Sequence, residues 1–347
     1  MVKRIIRLFV IFAVLVSLVL GYFYYQNYIR AGVATQGNES HIFIPKNADA
    51  ETVFNLLNDQ QLLTAPQQFK YLMEIKKYEG NKIIPGKYKI EEGWSNNQLI
   101  NHLRFGNGRL DSRIQFHNVQ TIAQLSGMIT RELLLDSAEV VRYLSQPENL
   151  QKYGFNENTM LSMFIPNTYF VDVDISVEEL MQRMAKEYKA FWNGDRKSKL
   201  RQIGLTQSEV VTLASIVYWE TKLKKDMPVV AGVYMNRIRV GMPLQADPTL
   251  IYILEKMGKG PIKRVYNHHK KLESPYNTYK YKGLSPGPIL IPPPVYVDAV
   301  LNYKKHDYYY FVAKEDLSGE SYFSSTYKQH LIYAARYYKM LKQKGIR

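Results

Sequence analysis

The chain has 347 residues, no cysteine, and 46 basic against 31 acidic side chains, which gives a net charge of +15. This length predicts two or three compact units, and the absence of cysteine excludes disulfides and thiol catalysis. The basic residues are spread along the chain without a zinc finger, an RNA-recognition signature or a basic helix, so we expect no nucleic-acid partner.

The N-terminal segment is strongly apolar, with no charged side chain in residues 8–25. A run of this length predicts a membrane-spanning helix; the alternative, a cleaved signal peptide, usually has a shorter apolar core of about 7–15 residues. Basic residues precede the run at Lys3, Arg4 and Arg7. The positive-inside rule then predicts a single-pass protein of the cell inner membrane, with residues 1–7 cytoplasmic, residues 8–25 in the membrane and everything after residue 26 extracytoplasmic.

A small module follows between Ile42 and Phe105. Its pattern predicts strand, helix, helix, strand and helix, in that order. The predicted segments are Ile42–Pro45, Ala50–Leu57, Pro66–Tyr78, Gly86–Ile90 and a helix opened by Ser95 that continues through Leu103. The size and order of these segments suggest a glycan-binding or docking module.

The next region, from Thr121 to about Lys199, is predicted to be helical, with breaks at Pro147 and in the loop Phe164–Tyr169. From Leu205 onward, short helices alternate with loops rich in proline, glycine and tyrosine, and we place the candidate active site there.

The predicted elements after Leu205 have clear boundary signals. Thr206 and Glu209 have the spacing of a capping box at the start of a helix. Asp226 and Pro228 start a second helix, and Gly241 stops it. The segments that follow are the helix Val229–Arg239, the loops Leu244–Thr249, Ser274–Tyr279 and Gly283–Ile289, a hairpin of Tyr308–Val312 with Ser321–Phe323, and a closing helix Tyr327–Lys342.

Glu220 is the strongest candidate for a catalytic residue. It ends the helix opened at Thr206, on the same face as apolar Leu213, Ile216 and Val217. Loss of hydration there raises the pKa of a carboxyl group towards neutrality, as a general acid requires. The alternative from the helix pattern alone is an ordinary surface residue paired with Lys222 or Lys224.

Other chemistries find little support. His268 and His269 are adjacent and lack ligand spacing, so we expect no metal site. A Gly-x-Ser-x-Gly elbow and a phosphate-binding glycine loop are both missing, and we expect no cofactor. The remaining possibilities are catalysis by a carboxylate side chain and no catalysis at all. Tyr276 and Tyr279, held in a proline-bounded loop, could contact a sugar or belong to the core.

Five motifs occur in order. They are Ala214-Ser-Ile-Val-x-x-Glu-Thr221, Asn236-Arg237, Leu244-Gln-x-Asp-Pro-Thr249, Tyr276-Asn-Thr-Tyr279 and Gly283-Leu-x-Pro-Gly-Pro-Ile289. Together they resemble the MltG (YceG-like) membrane-anchored endolytic murein transglycosylases, over essentially the whole chain. The resemblance implies an α+β fold with an N-terminal transmembrane helix. It further implies a LysM-like subdomain at 26–112, a helical connecting region at 113–204 and a mixed catalytic domain at 205–347.

The resemblance also implies roles for individual residues. Glu220 would be the catalytic acid/base. The other motif residues would line the glycan cleft: Asn236, Arg237, Gln245, Asp247, Thr249, Tyr276, Asn277, Thr278 and Tyr279. The chain departs from the family at Tyr218, where an acidic residue usually stands, so Glu220 is left as the only proton carrier in its motif.

The expected activity is endolytic cleavage of the bond between N-acetylmuramic acid and N-acetylglucosamine in nascent peptidoglycan. It would leave 1,6-anhydro ends and terminate strand elongation. Peptidoglycan synthases and elongation proteins are the expected protein partners. Two alternatives stay open: a muramidase-type hydrolase in which Asp247 activates water, and an inactive membrane-anchored scaffold that binds the wall.

Overall fold

The computed structural model describes residues 2–35, 40–262 and 264–345. The chain divides into two compact units. Unit 1 contains residues 1–113, 132–135 and 170–176, and unit 2 contains residues 114–131, 136–169 and 177–347. The predicted domain boundaries, at 25/26, 112/113 and 204/205, stay predictions.

The first part of the described chain contains α1 (Val2–Tyr24), β1 (Ser40–Ile44), α2 (Ala50–Asp59), α3 (Pro66–Ile75), β2 (Gly86–Ile90), α4 (Asn96–Phe105) and β3 (Arg109–Leu110). Two further strands, β4 (Ser112–Gln115) and β5 (Thr168–Val171), form a two-stranded sheet. The other elements are α5 (Ile122–Glu132), α6 (Ser137–Ser145), α7 (Pro147–Gln151), α8 (Val177–Phe191), α9 (Gly194–Ile203), α10 (Gln207–Glu220), α11 (Met227–Arg239), α12 (Asp247–Lys256), α13 (Pro294–Leu301), β6 (Tyr310–Ala313), β7 (Ser321–Ser324) and α14 (Tyr327–Gln343). The predicted α+β class is confirmed.

Helix α1 has the properties of a membrane anchor. It is 23 residues long, its mean hydropathy reaches 2.5, and none of that apolar stretch is buried in the protein. An apolar helix that exposes its whole circumference is stable when lipid surrounds it. The helix fits the predicted single-pass anchor, while its orientation stays a prediction.

The module of unit 1 is a three-stranded antiparallel sheet, in the order β1-β2-β3, packed against helices. In β2, alternate residues from Gly86 to Ile90 face the core, as a half-buried strand requires. Ser95 forms the capping box that starts α4, with Gln98 as its partner. The predicted order of elements is confirmed, although α3 ends at Ile75 because Lys77 has a φ of +49°. The likeness to LysM stays a prediction.

Helix α10 is the centre of unit 2. Every residue from Val210 to Val217 is buried, and α11, α12 and α13 pack around it. The capping box of Thr206 and Glu209 is present as predicted. A helix that is apolar on all sides is stable only inside a core, and this position fixes the end that carries Glu220.

Several elements differ from the sequence prediction. Strand β5 replaces the end of the predicted loop Phe164–Tyr169, because a four-residue strand gains its stability from pairing and carries little local signal. Helix α12 begins inside the predicted loop Leu244–Thr249, and α13 was missed. Both helices have proline in the first turn, where its missing N–H costs nothing, so a residue that suggests a loop starts a helix instead.

Candidate active site

Glu220 is the last residue of α10, and its carboxyl group is held by a side chain of α11. Tyr234 Oη donates a hydrogen bond to Glu220 Oε1 at 2.7 Å. Tyr234 is only 1% exposed, while Glu220 is partly exposed. One carboxyl oxygen is therefore occupied by a buried donor, and the side chain still has a route to solvent.

The surroundings raise the pKa of Glu220 from 4.5 to about 7. Burial is the largest cause, because it disfavours the charged form, and the negative charge of Asp247 acts in the same direction. The Tyr234 hydrogen bond and the charge of Arg237 oppose this rise. At neutral pH the carboxyl group is thus divided between its protonated and ionised forms, as the sequence predicted.

The alternative role for Glu220, pairing with a nearby lysine, finds no support among the described residues. Lys222 Nζ instead bonds to the carbonyl oxygen of Tyr218 and lies over its ring. Tyr218 in turn donates from Oη to Asn118 Oδ1 at 2.8 Å. The position of the resembling family's acid is therefore occupied by a packed, hydrogen-bonded tyrosine, and among the described residues no ion pair joins Glu220 to Lys222 or Lys224.

Asn236 and Arg237 join α11 to the segment that leads into β6. The Asn236 amide donates to the carbonyl oxygens of His306 and Tyr308, at 2.7 and 3.0 Å. Arg237 Nε donates to the carbonyl oxygen of Tyr309 at 2.7 Å, and its Nη1 to that of Leu244. Both residues are at most 7% exposed, so their polar atoms act within the protein.

The motif loops 244–249 and 274–279 form one hydrogen-bonded structure. Thr278 Oγ1 accepts from the backbone N–H of Ala246 at 3.0 Å and lies 2.9 Å from Thr249 Oγ1. Asn277 donates to the carbonyl oxygens of Lys270 and Leu272. These threonine and asparagine side chains are 2% exposed or less, so they set the shape of the loops.

Tyr276 and Tyr279 have different environments although they share a loop. Tyr276 is 6% exposed, packs at 4.8 Å against the ring of Tyr252, and bonds to Asn158. Tyr279 is partly exposed, and its hydroxyl donates to Asp247 Oδ1 at 2.6 Å. The sequence left open whether these two rings contact a sugar or belong to the core. In the structure Tyr276 belongs to the core, and Tyr279 is accessible to a ligand.

The predicted site residues therefore fall into two groups. An accessible group can touch a ligand: Glu220, Gln245, Asp247 and Tyr279. A buried group holds the framework: Asn236, Arg237, Thr249, Tyr276, Asn277 and Thr278. Direct contact with glycan stays a prediction for the first group, and the hydrogen bonds of the second group support a positioning role.

Tyr234 is the site residue that the sequence prediction missed. It belongs to none of the five motifs, and its only local signal is that it lies three residues before Arg237 on the same helix face. Its partner Glu220 is on another helix, so the contact follows from the packing of α10 against α11. Among the described residues no cluster of histidine and carboxylate side chains is suited to a metal ion.

The loop Gly283–Ile289 is fixed at two points, one on α10 and one on the segment before Met160. The N–H of Ile289 donates to Ser215 Oγ at 3.1 Å. At Gly287 the backbone passes so close to Asn158 that a Cβ atom would lie 1.8 Å from its carbonyl oxygen. Only glycine fits this approach, because the neighbouring atom belongs to the backbone.

Gly287→Ala should therefore destabilise the protein by about 1–3 kcal/mol or more, since the overlap forces the loop away from its neighbour. Thermal unfolding measures the effect. Gly127→Ala is the matched control, because Gly127 lies in α5 with open space around its Cβ position and alanine favours a helix. Equal unfolding midpoints for the two variants would contradict this account of Gly287.

The family model of the YceG-like family matches residues 42–336. The chain belongs to the YceG-like family. This assignment covers the module of unit 1 and the helices that surround Glu220.

Relatives named as endolytic murein transglycosylases are similar over most of the chain. The endolytic murein transglycosylase of Bacillus subtilis (strain 168) is 28% identical, over 84% of this chain and 82% of that protein. The endolytic murein transglycosylase of Streptococcus pneumoniae (serotype 2, strain D39) is 25% identical, over 95% of this chain, and the match spans 64% of the pneumococcal protein. A crystal structure of a putative YceG-like protein from Listeria monocytogenes has the same fold, with a TM-score of 0.56 and 23% identity, over 85% of this chain and 98% of that one.

Proposed function

We propose that the protein is an endolytic murein transglycosylase in which Glu220 is the only acid/base. The observation that carries the proposal is a partly exposed glutamate whose pKa is raised to about 7, held by the buried Tyr234. The names of the relatives from Bacillus and Streptococcus support the same substrate class, peptidoglycan.

In the first step, protonated Glu220 gives its proton to the oxygen that links N-acetylmuramic acid to N-acetylglucosamine. Because Tyr234 donates to Oε1, Oε2 is the oxygen that carries the proton towards the substrate. The glycosidic bond then breaks through an oxocarbenium-like state. The acetamido oxygen of the muramic acid can stabilise this cation, as in substrate-assisted glycosidases, so a second carboxylate is not required.

In the second step, ionised Glu220 takes the proton of the muramic acid C6 hydroxyl, and that oxygen bonds to the anomeric carbon. The product is a 1,6-anhydro end, no water is consumed, and Glu220 returns to its protonated form. A carboxyl group with a pKa near the working pH suits both steps, since it must donate and then accept.

The accessible residues around Glu220 supply the proposed contacts with sugar. Asp247 and Gln245 are exposed, and Tyr279 orients Asp247 through its hydroxyl. Carboxylate, amide and phenol groups can bond to sugar hydroxyl and acetamido groups. The buried motif residues, by contrast, keep these side chains in place.

Helix α1 would restrict this activity to glycan near the membrane. With the N-terminus in the cytoplasm, the chain that follows α1 lies on the outer side, where new strands emerge. We propose that the protein cuts nascent strands there and so ends their elongation, near peptidoglycan synthases.

The masses of the products test the reaction. Full-length protein in detergent is incubated with purified peptidoglycan, and the released fragments are analysed by mass spectrometry. Anhydro ends are expected; a muramidase in which Asp247 activates water would give reducing ends that are heavier by one water, about 18 Da. An inactive scaffold would bind the polymer and release nothing.

Tyr234→Phe should separate the positioning role of Tyr234 from simple packing. Its hydroxyl lowers the pKa of Glu220, so its loss should raise that pKa further. The alkaline limb of the pH profile should then move to higher pH while kcat falls. Tyr188→Phe is the control, because it removes the hydroxyl of a buried tyrosine of α8 that bonds to Gln207, at the opposite end of α10 from Glu220. An unchanged alkaline limb in Tyr234→Phe would refute the role of the hydroxyl.

A further inference from the structure

An apolar groove lies between α1 and α3, within unit 1. Its volume is about 390 Å³. We call it the anchor groove; its lining residues are Val19, Tyr22, Phe23, Gln26, Gln67, Gln68 and Tyr71. The rings of Phe23 and Tyr71 meet edge to face, with centroids 5.7 Å apart. A residue of the membrane helix and a residue of the module therefore form one wall.

The chain between the helix and the module is short and hydrogen-bonded. After α1, a π-helical turn spans Tyr25–Ile29. The N–H groups of Gly32 and Val33 both donate to the carbonyl oxygen of Trp94, and Ala31 forms a bridge with Ser95. These bonds hold the module against the end of α1, so the groove is a fixed feature of unit 1.

The depth of the groove follows from the length of α1. At about 1.5 Å per residue, Val19 lies about 7–8 Å below Tyr24, the last residue of the helix. The hydrocarbon core of a bilayer is about 30 Å thick and needs about 20 residues to cross. The groove therefore begins in the outer part of the acyl-chain region and ends among the headgroups.

The exposed face of α3 continues the apolar surface beside the groove. Tyr71 is 53% exposed and Ile75 is 49% exposed, one turn apart on the same side. In water such a face would be unfavourable, but tyrosine with a neighbouring aliphatic side chain suits the membrane interface. Lipid is the partner that α1 brings to this face.

Cationic groups lie at the polar end of the groove. Arg30 Nη1 donates at 2.8 Å to the side-chain oxygen of Gln26, one of the lining residues. Lys76, the residue after α3, donates one hydrogen bond from Nζ to Asn101 Oδ1 at 2.8 Å and lies 5.8 Å from the ring centroid of Tyr28, two residues beyond Gln26. Basic groups just outside the acyl-chain region attract anionic headgroups.

We propose that the anchor groove binds one anionic phospholipid of the outer leaflet, with an acyl chain against Phe23 and Tyr71 and the phosphate near Arg30 and Lys76. The bound lipid holds the module of unit 1 at the bilayer surface. This inference depends on α1 as a membrane anchor and is independent of the catalytic activity.

Fluorescence quenching tests the proposal, and the absence of native cysteine makes single-site labelling straightforward. Ile75→Cys, beside the groove but outside its lining, is labelled with bimane in the full-length protein and placed in nanodiscs. Phe105→Cys is the control within unit 1, because this exposed residue lies about 15 Å along α4 from its start beside Ala31. Lipids brominated on the acyl chain should quench the label at position 75 several-fold more than at 105, and aqueous iodide should show the opposite order. Equal quenching by iodide and no effect of brominated lipid at 75 would overturn the proposal.

A groove-filling variant separates binding in the groove from simple proximity to the bilayer. Gln68→Trp, combined with the label at 75, should reduce quenching by brominated lipid because the indole occupies the volume of the acyl chain. Undiminished quenching would show that no lipid enters the groove. Brominated phosphatidylglycerol should quench the label about fivefold more effectively than brominated phosphatidylcholine at the same lipid fraction. Equal quenching by the two lipids would refute a site for an anionic headgroup.

Discussion

Replacing Glu220 with glutamine should reduce the release of glycan fragments from peptidoglycan by about 10²–10⁴-fold, the usual contribution of a positioned acid or base. The amide has almost the same shape and can still accept the hydrogen bond from Tyr234, but it cannot give a proton to the glycosidic oxygen. Binding of insoluble peptidoglycan should therefore be nearly unchanged. Fragment release is measured by chromatography and binding by sedimentation with the polymer.

Glu139→Gln is the matched control for this experiment, because it makes the same chemical change at an exposed position on α6. It should keep the activity of the parent protein. A Glu220→Gln protein that still released anhydro fragments at the parent rate would remove Glu220 from the mechanism.

The same substitution should increase stability at alkaline pH. The pKa of Glu220 is about 7 in the folded protein and 4.5 as its ordinary value. Between these two values the folded protein keeps a proton that the unfolded chain loses, so the free energy of unfolding falls as the pH rises through this window. The difference between the two pKa values corresponds to a loss of about 3 kcal/mol at most in the free energy of unfolding. Because glutamine does not titrate, the free energy of unfolding of Glu220→Gln should not fall in this pH window.

Chemical denaturation of both proteins at about pH 4 and about pH 8 measures this effect. The stability of Glu220→Gln relative to the parent should rise between the two conditions by up to about 3 kcal/mol. A relative stability that stayed constant, or fell, would mean that the carboxyl group is not desolvated in the folded protein. Glu139→Gln again controls for the removal of one formal negative charge.

Much of the architecture was predictable because its signals are local. The uncharged run at residues 8–25 gives α1, and the spacing of Thr206 and Glu209 gives the start of α10. These features depend on neighbours within a few residues. The short strands β4 and β5 were missed because pairing between distant segments stabilises them, and α12 and α13 were missed because their first turns contain proline.

The site was predictable in part. Five motifs identified Glu220 and the loops around it, but they could not distinguish residues that face a ligand from residues that hold the loops. Asn277 and Asp247 have equal weight as motif residues, yet the first is buried and bonded to carbonyl oxygens while the second is exposed. Burial depends on how the whole chain packs, so the residues of a motif do not show which of them are buried.

The sequence by itself determined the apolar anchor, the ends of α10 and the glutamate at its last turn, because hydropathy and capping act over a few neighbouring residues. Only the tertiary structure decided that Tyr234 would hold Glu220, and that Asp247 and Arg237 would lie close enough to influence its pKa. The anchor groove likewise depends on the contact of Phe23 with Tyr71. The reason is the same in both cases: desolvation and contact between distant residues arise only when helices pack together.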